Sequence, residues 1–465
     1  MLMTTITDYA PEPGRLVEFR ATAAGGPVTP EPLSSLQENH LRRLLANQEA
    51  GRSQSPWLAT VFDLPGKFRP EAMAAALEKW LDRHPTLLTW FSLDDDGDLQ
   101  RHTVERDTVA LEIVPAGEVA DIAGYLHERF DEGTDPLRWP PFVAGAIVRE
   151  DSATVYYAVD HSHSDGYSVM LVFAELRAFY EAELAGTRAR LPEVGSYVDA
   201  CVLERERAAG LTLDSPEARE WLDFWLSGPP PRFPLELGTE PGRFYPTAAV
   251  DLDVFDAAEA EAFSHACKAN GAGLSAGWLT ALGITAYELA DVKNYRGLAV
   301  VHTRDEPRWQ AAQGWFINLG PVAFPLAGQG DFGEVVVRAQ AAFEQAQSLA
   351  QVSLLRVAEL LLGLDPQGDA AAVLPMASYL DMRHAPCAGE WQEANVALLV
   401  GPGQTADVSM WLNRLVGRTY LKAQYPDTEA ARAAVSRYLE HLVRVLREIA
   451  RTGRYRISAP VPVPV

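Results

Sequence analysis

Six prolines between residues 229 and 246 interrupt the chain near its middle. Proline fixes φ and removes a backbone donor, so this spacing excludes helix interiors and central strands. On both sides of the break, apolar strand-like runs alternate with amphipathic helical patterns, as in α/β proteins. A single core stops growing at about 250–300 residues, so more than one domain is expected. We predict two α/β lobes, residues 1–210 and 248–465, joined by a proline-rich crossover over 211–247.

Hydrophobic periodicity locates the elements that surround the later motifs. Residues 1–32 are rich in Pro, Gly and Thr and are expected to form an irregular lead-in. The spacing predicts helices over Ser34–Gln48 and Pro70–His84. The apolar run Thr154–Val159 predicts a buried strand, and a long helix is expected from about Ser168 to Leu184.

The charge balance excludes one broad class of partner. Forty Lys and Arg against 63 Asp and Glu give a net charge of −23. Nucleic-acid binding needs a basic surface that releases counterions, so we expect no nucleic-acid partner.

Cysteine usage and the absence of long apolar runs set further expectations. Cys201, Cys267 and Cys387 lie far apart, which favours neither a disulfide framework nor a thiolate zinc site. The first twenty residues lack the pattern of a signal peptide, and no run of about 18 apolar residues occurs. We therefore expect a cytoplasmic protein with no membrane partner.

One short segment combines histidines with acids where a predicted buried strand ends. It reads Asp160-His161-Ser162-His163-Ser164-Asp165-Gly166. Among the ten histidines, only His161 and His163 lie close together beside acidic residues. A turn at the end of a strand holds its side chains rigidly at a sheet edge, where sites are commonly built.

The residues of this segment leave more than one interpretation open. The His-x-His-x-Asp spacing resembles the opening of the metallo-β-lactamase signature, but Gly166 stands where the next histidine belongs. Because a catalytic zinc needs three protein ligands, two histidines bind it weakly, and we expect no metal. A purely structural turn, with its histidines satisfied by backbone groups, is compatible with the same residues.

A third interpretation rests on a family resemblance. Asp160-His161-x-x-x-Asp165-Gly166 resembles the HHxxxDG motif of the condensation-domain and chloramphenicol-acetyltransferase superfamily. Four further stretches resemble family elements in the same order. They are Ser34–Gln37 (SxAQ), Arg83–Phe91 (RHExLRTxF), Tyr197–Ala200 (YxDxA), and Arg304 with Gly314–Asn318 (R…GxFxN). On these five elements the chain is identified as a member of the superfamily.

Two departures from the family pattern affect the site. Asp160 replaces the first histidine of the motif, and Asp407–Trp411 occupies the place of an unrecognisable DFGWG element. An aspartate can accept hydrogen bonds from backbone amides, so we expect Asp160 to preserve the turn. Its negative charge, if unscreened, would raise the pKa of His161.

The resemblance implies an α/β fold of two chloramphenicol-acetyltransferase-like lobes forming a V with a central channel. His161 would be the catalytic residue, and its neutral imidazole would take the proton of the acceptor. Asp160, Asp165, Gly166 and Arg304 would be structural at the site. Asp165 would form a buried ion pair with Arg304, and the Gly166 N–H would face the developing oxyanion.

Further residues are predicted, on weaker grounds, to line the channel. For each aromatic among them, core packing is the competing interpretation, and Ser168 could instead be a helix N-cap. His163 is expected to be a structural neighbour of His161. The set comprises His163, Tyr167, Ser168, Trp315, Asn318, Ser409 and Trp411.

The resemblance also implies a reaction. We expect a free-standing, monomeric condensation-type acyltransferase of natural-product biosynthesis, such as that of antibiotics, nonribosomal peptides or polyketides. It would move an acyl group from a phosphopantetheine thioester, on an acyl or peptidyl carrier protein or coenzyme A, to a small-molecule alcohol or amine. Ester formation is slightly favoured, and no bound cofactor is expected. The alternative is a non-catalytic docking module that recruits partner enzymes to a carrier protein.

Overall fold

The computed structural model describes residues 2–52, 54–326, 330–362 and 375–460, which fold into two compact units. The first unit comprises Met1–Gly210, Arg304–Ile317 and Ala385–Gly403. The second comprises Leu211–Thr303, Asn318–His384 and Gln404–Val465. The sequence predicts two consecutive lobes, whereas the first unit also takes up two later segments of the chain.

Strands and helices alternate in both units, which confirms the predicted α/β class. The strands of the described residues are β1 Leu2–Thr5, β2 Arg15–Thr22, β3 Val28–Thr29, β4 Trp57–Pro65, β5 Thr89–Leu93, β6 Leu99–Thr103, β7 Ala110–Glu118, β8 Phe142–Val148, β9 Ser152–Asp160, β10 Tyr245–Asp256, β11 Asn294–His302, β12 Ile317–Pro325, β13 Met376–Asp381, β14 Ala397–Val400, β15 Gln404–Thr405, β16 Ser409–Arg414 and β17 Arg418–Pro426. The helices are α1 Ser35–Glu49, α2 Pro70–Arg83, α3 Ile122–Gly133, α4 Gly166–Ala185, α5 Tyr197–Ala209, α6 Pro216–Leu226, α7 Ala257–Ala269, α8 Leu274–Ala290, α9 Phe332–Leu349, α10 Leu354–Leu362 and α11 Glu429–Thr452.

The main sheet of the first unit has β9 at its centre. Its order is β1-β14-β4-β9-β8-β2-β7, and β9 is antiparallel to both β4 and β8. The late strand β14 pairs in parallel with β1 and antiparallel with β4. A separate three-stranded sheet has the order β3-β6-β5. β9 is therefore the central strand of the seven-stranded sheet, and it ends at Asp160, the first residue of the histidine-containing segment.

The lead-in over residues 1–32 was expected to be irregular, and this expectation is wrong. It contains β1, β2 and β3. In β2, Leu16, Val17 and Phe19 are buried, because the strand lies between β7 and β8 inside the sheet. Near-continuous burial leaves little polar alternation, and the flanking prolines and glycines conceal so short an apolar run.

Two helix starts in the first unit are fixed by side chains. Ser34 caps α1 in a capping box with Gln37, in which each side chain accepts from the other residue's backbone N–H. Asp165 caps α4 by accepting from the Ser168 N–H at 2.6 Å. Gln37 of the first cap contacts the segment that follows β9, and Asp165 belongs to that segment. The residues that cap these two helices therefore also position the segment.

The second unit is built on a sheet of order β12-β11-β13-β16-β17-β10-β15. Its core packs the apolar face of α11 and nearly all of α8 against that sheet. The predicted crossover over 211–247 contains α6 and then irregular chain up to β10. Within the described residues no helix is both long enough and apolar enough to cross a bilayer.

Candidate functional site

The segment after β9 forms a tight turn at the centre of the first unit. His161–His163 make one turn of 3₁₀ helix, and α4 begins at Gly166. The His161 N–H donates to the Pro56 carbonyl at 3.0 Å, just before β4. The buried apolar strand thus ends in a turn that is tied to the next strand of the sheet.

The His161 ring is packed on one side and partly exposed. It lies against the Trp315 ring, with centroids 4.1 Å apart and an interplanar angle of 34°. Its Nδ1 atom is buried and forms no hydrogen bond with another of the described residues, while part of the residue stays accessible. Burial, followed by the neighbouring His40, lowers the pKa of His161 from 6.5 to about 4, against opposing effects of Asp160 and Asp165. The imidazole is therefore unprotonated at neutral pH and able to accept a proton.

His163, two residues away, is enclosed on both ring nitrogens. Nε2 lies 3.0 Å from the Thr89 carbonyl oxygen, and Nδ1 lies 2.9 Å from Ser162 Oγ. Burial lowers the pKa of His163 to about 4, so the ring is neutral. His163 is therefore a neutral, fully buried imidazole with a hydrogen-bond partner at each nitrogen.

Asp160 is completely buried and binds a histidine that sequence reasoning did not single out. His40 Nε2, on α1, lies 3.1 Å from each of the two carboxylate oxygens of Asp160. The Ser162 N–H also donates to Asp160 at 2.8 Å, as expected for an aspartate that preserves the turn. Burial alone would raise the pKa of Asp160, but His40 and this N–H hold it below its ordinary value.

The predicted effect of Asp160 on His161 is outweighed in the structure. Asp160 does act to raise the pKa of His161, yet burial and His40 bring it down. The sequence signal for His40 was its position three residues after Gln37, which places both on adjoining faces of α1. Gln37 Nε2 donates to the Ser162 carbonyl at 2.7 Å, so α1 holds the turn at two points.

Asp165 and Arg304 form a buried ion pair inside the first unit. Arg304 Nη2 lies 3.2 Å and 3.4 Å from the two Asp165 carboxylate oxygens. Asp165 also accepts from the Phe316 N–H at 2.9 Å, and Arg304 Nη1 donates to the Ala312 carbonyl at 2.8 Å. The pair therefore fixes the start of α4 against the segment Arg304–Ile317.

Ser168 differs from its predicted placement. Asp165, not Ser168, is the N-cap of α4, and the Ser168 side chain is fully buried. Its hydroxyl donates to the Gly314 carbonyl at 2.8 Å and accepts from Arg304 Nη2 at 2.6 Å. Ser168 is the third residue of α4, and its N–H donates to the N-cap Asp165. Its hydroxyl therefore lies close to the Asp165–Arg304 pair and bonds to Arg304. Tyr167 is partly exposed, with the Arg304 guanidinium over its ring at 5.1 Å.

Gly166 leaves open space at the start of α4. Its φ is not in the positive range, so the conformation does not demand glycine. A Cβ built on Gly166 would meet nothing within 4 Å. Glycine is favoured where φ is positive or where another group must approach closely. Only the second reason is compatible with the geometry at Gly166.

The remaining motif elements of the first unit contact this turn or support it. Tyr197 donates to the Trp315 carbonyl at 3.0 Å, and a Cβ on Gly314 would lie 2.3 Å from its ring. Arg83 and His84 bind the buried Glu175 of α4 at 2.8 Å and 2.6 Å. Elements far apart in the sequence therefore hold Trp315 and α4 in place around His161.

Three predicted residues belong to the second unit. Asn318, at the start of β12, is buried and donates to the Ala350 and Val352 carbonyls at 3.0 Å and 2.9 Å. Ser409 is buried on β16, and the partly exposed Trp411 pairs with Ser378 of β13 and Lys422 of β17. Asn318 thus holds backbone within its own unit.

The chemistry available at the turn is proton transfer without a metal ligand set. Across residues 2–52, 54–326, 330–362 and 375–460, no group of three or more His, Cys, Asp or Glu side chains could hold a metal ion. What the first unit presents is one neutral, partly exposed imidazole beside a helix N-terminus whose N–H groups lack intrahelical partners.

Comparisons with known proteins agree with the motifs. The family model of the condensation domain matches residues 29–461. The chain is 31% identical over 464 residues to 2'-acyl-2-O-sulfo-trehalose (hydroxy)phthioceranyltransferase PapA1 of Mycobacterium bovis, covering 97% of this chain and 89% of that protein. It is 29% identical to acyltransferase PapA3 of Mycobacterium tuberculosis over 97% of both chains. The solved structure of a PapA2 acyl transferase superposes with a TM-score of 0.88 at 28% identity, covering 97% of this chain and all of that one.

Proposed function

The chain belongs to the condensation domain family and is an acyltransferase, and from this premise we propose that it transfers an acyl group from a phosphopantetheine thioester to a hydroxyl group of a carbohydrate. The observation that carries the proposal is the state of His161, which is unprotonated at neutral pH and partly exposed. Its neighbour His163 is sealed by hydrogen bonds. Of the two histidines in the motif, His161 is the partly exposed one, whereas His163 is completely buried.

The acceptor class rests on the relatives. PapA1 is named for transfer to an acylated sulfo-trehalose. A sugar hydroxyl is a weak nucleophile that needs a base, whereas an unprotonated amine needs less help. A neutral imidazole with a free face supports a hydroxyl acceptor and an ester product over an amide. The carrier protein and coenzyme A remain the two proposed sources of the thioester.

The reaction follows from the geometry of the turn. His161 takes the hydroxyl proton as the acceptor oxygen attacks the thioester carbonyl carbon. The resulting oxyanion lies near the Gly166 N–H, where open space and the helix dipole favour negative charge. When the carbon–sulfur bond breaks, the thiolate takes the proton back from His161, which restores the neutral ring. Nδ1 is buried, so we infer that Nε2 is the nitrogen that handles the proton.

The test is the His161→Ala variant in an acyl-transfer assay. Trehalose 2-sulfate serves as the acceptor, and an acyl-coenzyme A or acylated carrier protein serves as the donor, with mass spectrometry of the product. Loss of the base should lower kcat by about 10²–10⁴-fold without unfolding the protein. His163→Ala is the matched control and should be much milder. An unchanged rate in His161→Ala, or a larger loss in His163→Ala, would remove His161 from the mechanism.

The docking-module alternative makes a different prediction for the same experiment. The relatives are named as acyltransferases, which supports an enzyme. A docking module would bind an acylated carrier protein equally well with and without His161, and would transfer no acyl group in either case.

A further inference from the structure

A buried histidine and a buried aspartate face each other beside the reactive imidazole. His40 is 4% exposed and Asp160 is 0% exposed, and Nε2 lies at 3.1 Å from both carboxylate oxygens. The His40 ring stands edge-on to Trp315, with centroids 5.5 Å apart. It lies 6.4 Å from the His161 ring. The pair therefore shares its surroundings with His161 without bonding to it.

Asp160 poses an electrostatic problem for a base. A lone buried carboxylate beside an imidazole favours the protonated ring, and a protonated His161 cannot accept a proton. The negative charge of Asp165, at the start of α4, acts in the same direction on His161. A compensating positive charge close to Asp160 would remove this conflict.

Charged groups reach the turn from several elements, among them the buried Arg101 of β6, which acts to lower the pKa of His163. His40 and Arg43 come from α1, Asp160 ends β9, and Asp165 starts α4 with Arg304 already bound to it. His163 in the same turn is neutral, as argued above. Arg43 is exposed and makes no ion pair or hydrogen bond among the described residues, although its charge reaches Asp160. Only His40 is both buried and in direct contact with the Asp160 carboxylate.

We propose that His40 is a positioning residue that carries the positive charge balancing Asp160, so that His161 stays unprotonated down to a lower pH although an aspartate occupies the first motif position. Asp160 keeps the turn through the Ser162 N–H, and His40 neutralises it. The edge of the His40 ring also supports Trp315, against which His161 packs. The proposal rests on the proposed function only in giving His161 the role of base.

The test is an NMR titration of the imidazoles in the full chain, labelled with ¹³C and ¹⁵N at histidine. His161 is assigned from the spectrum of His161→Gln. His40→Gln keeps a side-chain donor near Asp160 and removes the charge, and should raise the pKa of His161 by about one unit or more. The double variant His40→Gln/Asp160→Asn removes both charges and should return it to within about half a unit of the parent value. His384→Gln, an exposed histidine of the second unit, is the control and should change nothing.

Each outcome decides the proposal. No shift in His40→Gln, or an equal shift in the single and double variants, would assign His40 a packing role and overturn it. A neutral His40 ring in the ¹⁵N spectrum of the parent at pH 7 would do the same, even if His40→Gln fails to fold. The acid limb of the kcat/KM profile should move with the titration of His161. If the NMR shifts occur but no variant transfers acyl groups, the charge balance stands and the proposed function fails.

Discussion

Two buried helices, α4 in the first unit and α8 in the second, solve the same packing problem differently. Along most of its length each is enclosed by apolar neighbours. The N-terminus of α4 nevertheless carries the buried Asp165–Arg304 pair and the Ser168 hydroxyl. α8 follows the N-cap Gly273 and has no side-chain cap, and among the described residues its buried Thr280 and Thr285 hydroxyls donate to carbonyls of the same helix.

The difference indicates what each helix must specify. Burying a charge is costly, and an apolar contact of similar volume often stabilises as much or more. Charges are therefore expected where an orientation has to be fixed, and α4 begins beside His161. The buried carboxylate of α8, Glu288, lies in the last turn of that helix and binds His441 and the Tyr455 hydroxyl, so it fixes the C-terminal part of the chain and not the turn that carries His161. Changes at the start of α4 should affect both stability and acyl transfer, whereas changes in α8 should affect stability alone.

The largest effect is expected from Arg304→Met. It leaves Asp165 as an uncompensated buried charge, which should lower the free energy of unfolding by about 3–5 kcal/mol. Acyl transfer by the remaining folded protein should fall as well, because the start of α4 loses its anchor. Urea denaturation and steady-state kinetics measure the two effects.

The control for Arg304→Met lies in the same segment. Arg308 is about half exposed and pairs with Glu306, so Arg308→Met should cost about 0–1 kcal/mol. If the two variants were equally stable, the buried pair would have no special role, and the contrast between α4 and α8 would lose its basis.

The second effect is expected from Leu282→Ala in the middle of α8. Leu282 is almost fully buried in the core of the second unit, so its truncation should cost about 2–5 kcal/mol. The rate per folded molecule should be unchanged. Leu226→Ala, at an exposed position of α6, is the matched control and should be nearly neutral. A fall in kcat for Leu282→Ala without unfolding would break the division between the two helices.

Sequence reasoning located the turn His161–His163 after β9 but not the residues that surround it. Strong periodicity placed α2 within about a residue of its observed bounds, because a long amphipathic pattern is a local property. The resemblance named Asp165 and Arg304. In the structure, Arg304 Nη2 lies 3.2 Å from Asp165 Oδ1. What the resemblance could not provide was which side chains from elsewhere fill the space around the motif.

His40 and β14 illustrate the missing information. The local signal for His40 is only its spacing of three residues from Gln37, and its partner Asp160 is 120 positions away. β14 lies late in the chain, and only the folded sheet shows that it enters the first unit between β1 and β4. β2 was missed because a strand buried on both faces lacks the alternation that identifies strands in a sequence. Long-range pairing, rather than local propensity, decided each of these.

The third effect concerns the titration of His163, a buried group in the region of α4. Its folded pKa of about 4 lies below the value of about 6.5 expected in the unfolded chain. The unfolded chain therefore binds a proton as the pH falls from about 6.5 to 4, while the folded protein does not, and stability declines in that window. Above pH 6.5 the contribution is constant. Its full size is about 3 kcal/mol, since each unit of pKa difference corresponds to about 1.4 kcal/mol.

The comparison of His163→Gln with the parent isolates this contribution. The variant loses stability at neutral pH but should decline less between pH 6.5 and 4, as measured by urea denaturation at each pH. Parallel pH profiles for the two proteins would show that His163 is accessible to protons in the folded state.

The fourth effect is expected from Ser168→Ala. The hydroxyl contacts both Arg304 Nη2 and the Gly314 carbonyl, so its removal leaves buried polar groups short of a partner and should cost about 1–3 kcal/mol. The matched change in α8 is Thr280→Val, which removes a hydroxyl bonded only to the Ala276 carbonyl of its own helix. That variant should stay within about 1 kcal/mol of the parent, because the carbonyl keeps its place in the helix. Equal losses in thermal denaturation would show that the two hydroxyls are equivalent.

The smallest effect on stability is expected from Gly166→Ala, which should change activity without destabilising the fold. Gly166 has no positive φ, and an added Cβ would meet nothing within 4 Å. Alanine costs less backbone entropy than glycine in a helix, so stability should be unchanged or rise by up to about 1 kcal/mol. If the open space is where the thioester carbonyl approaches, the methyl group should lower kcat/KM while the melting temperature holds. A variant with full activity would mean that the substrate does not use this space, and the oxyanion contact at the start of α4 would have to be abandoned.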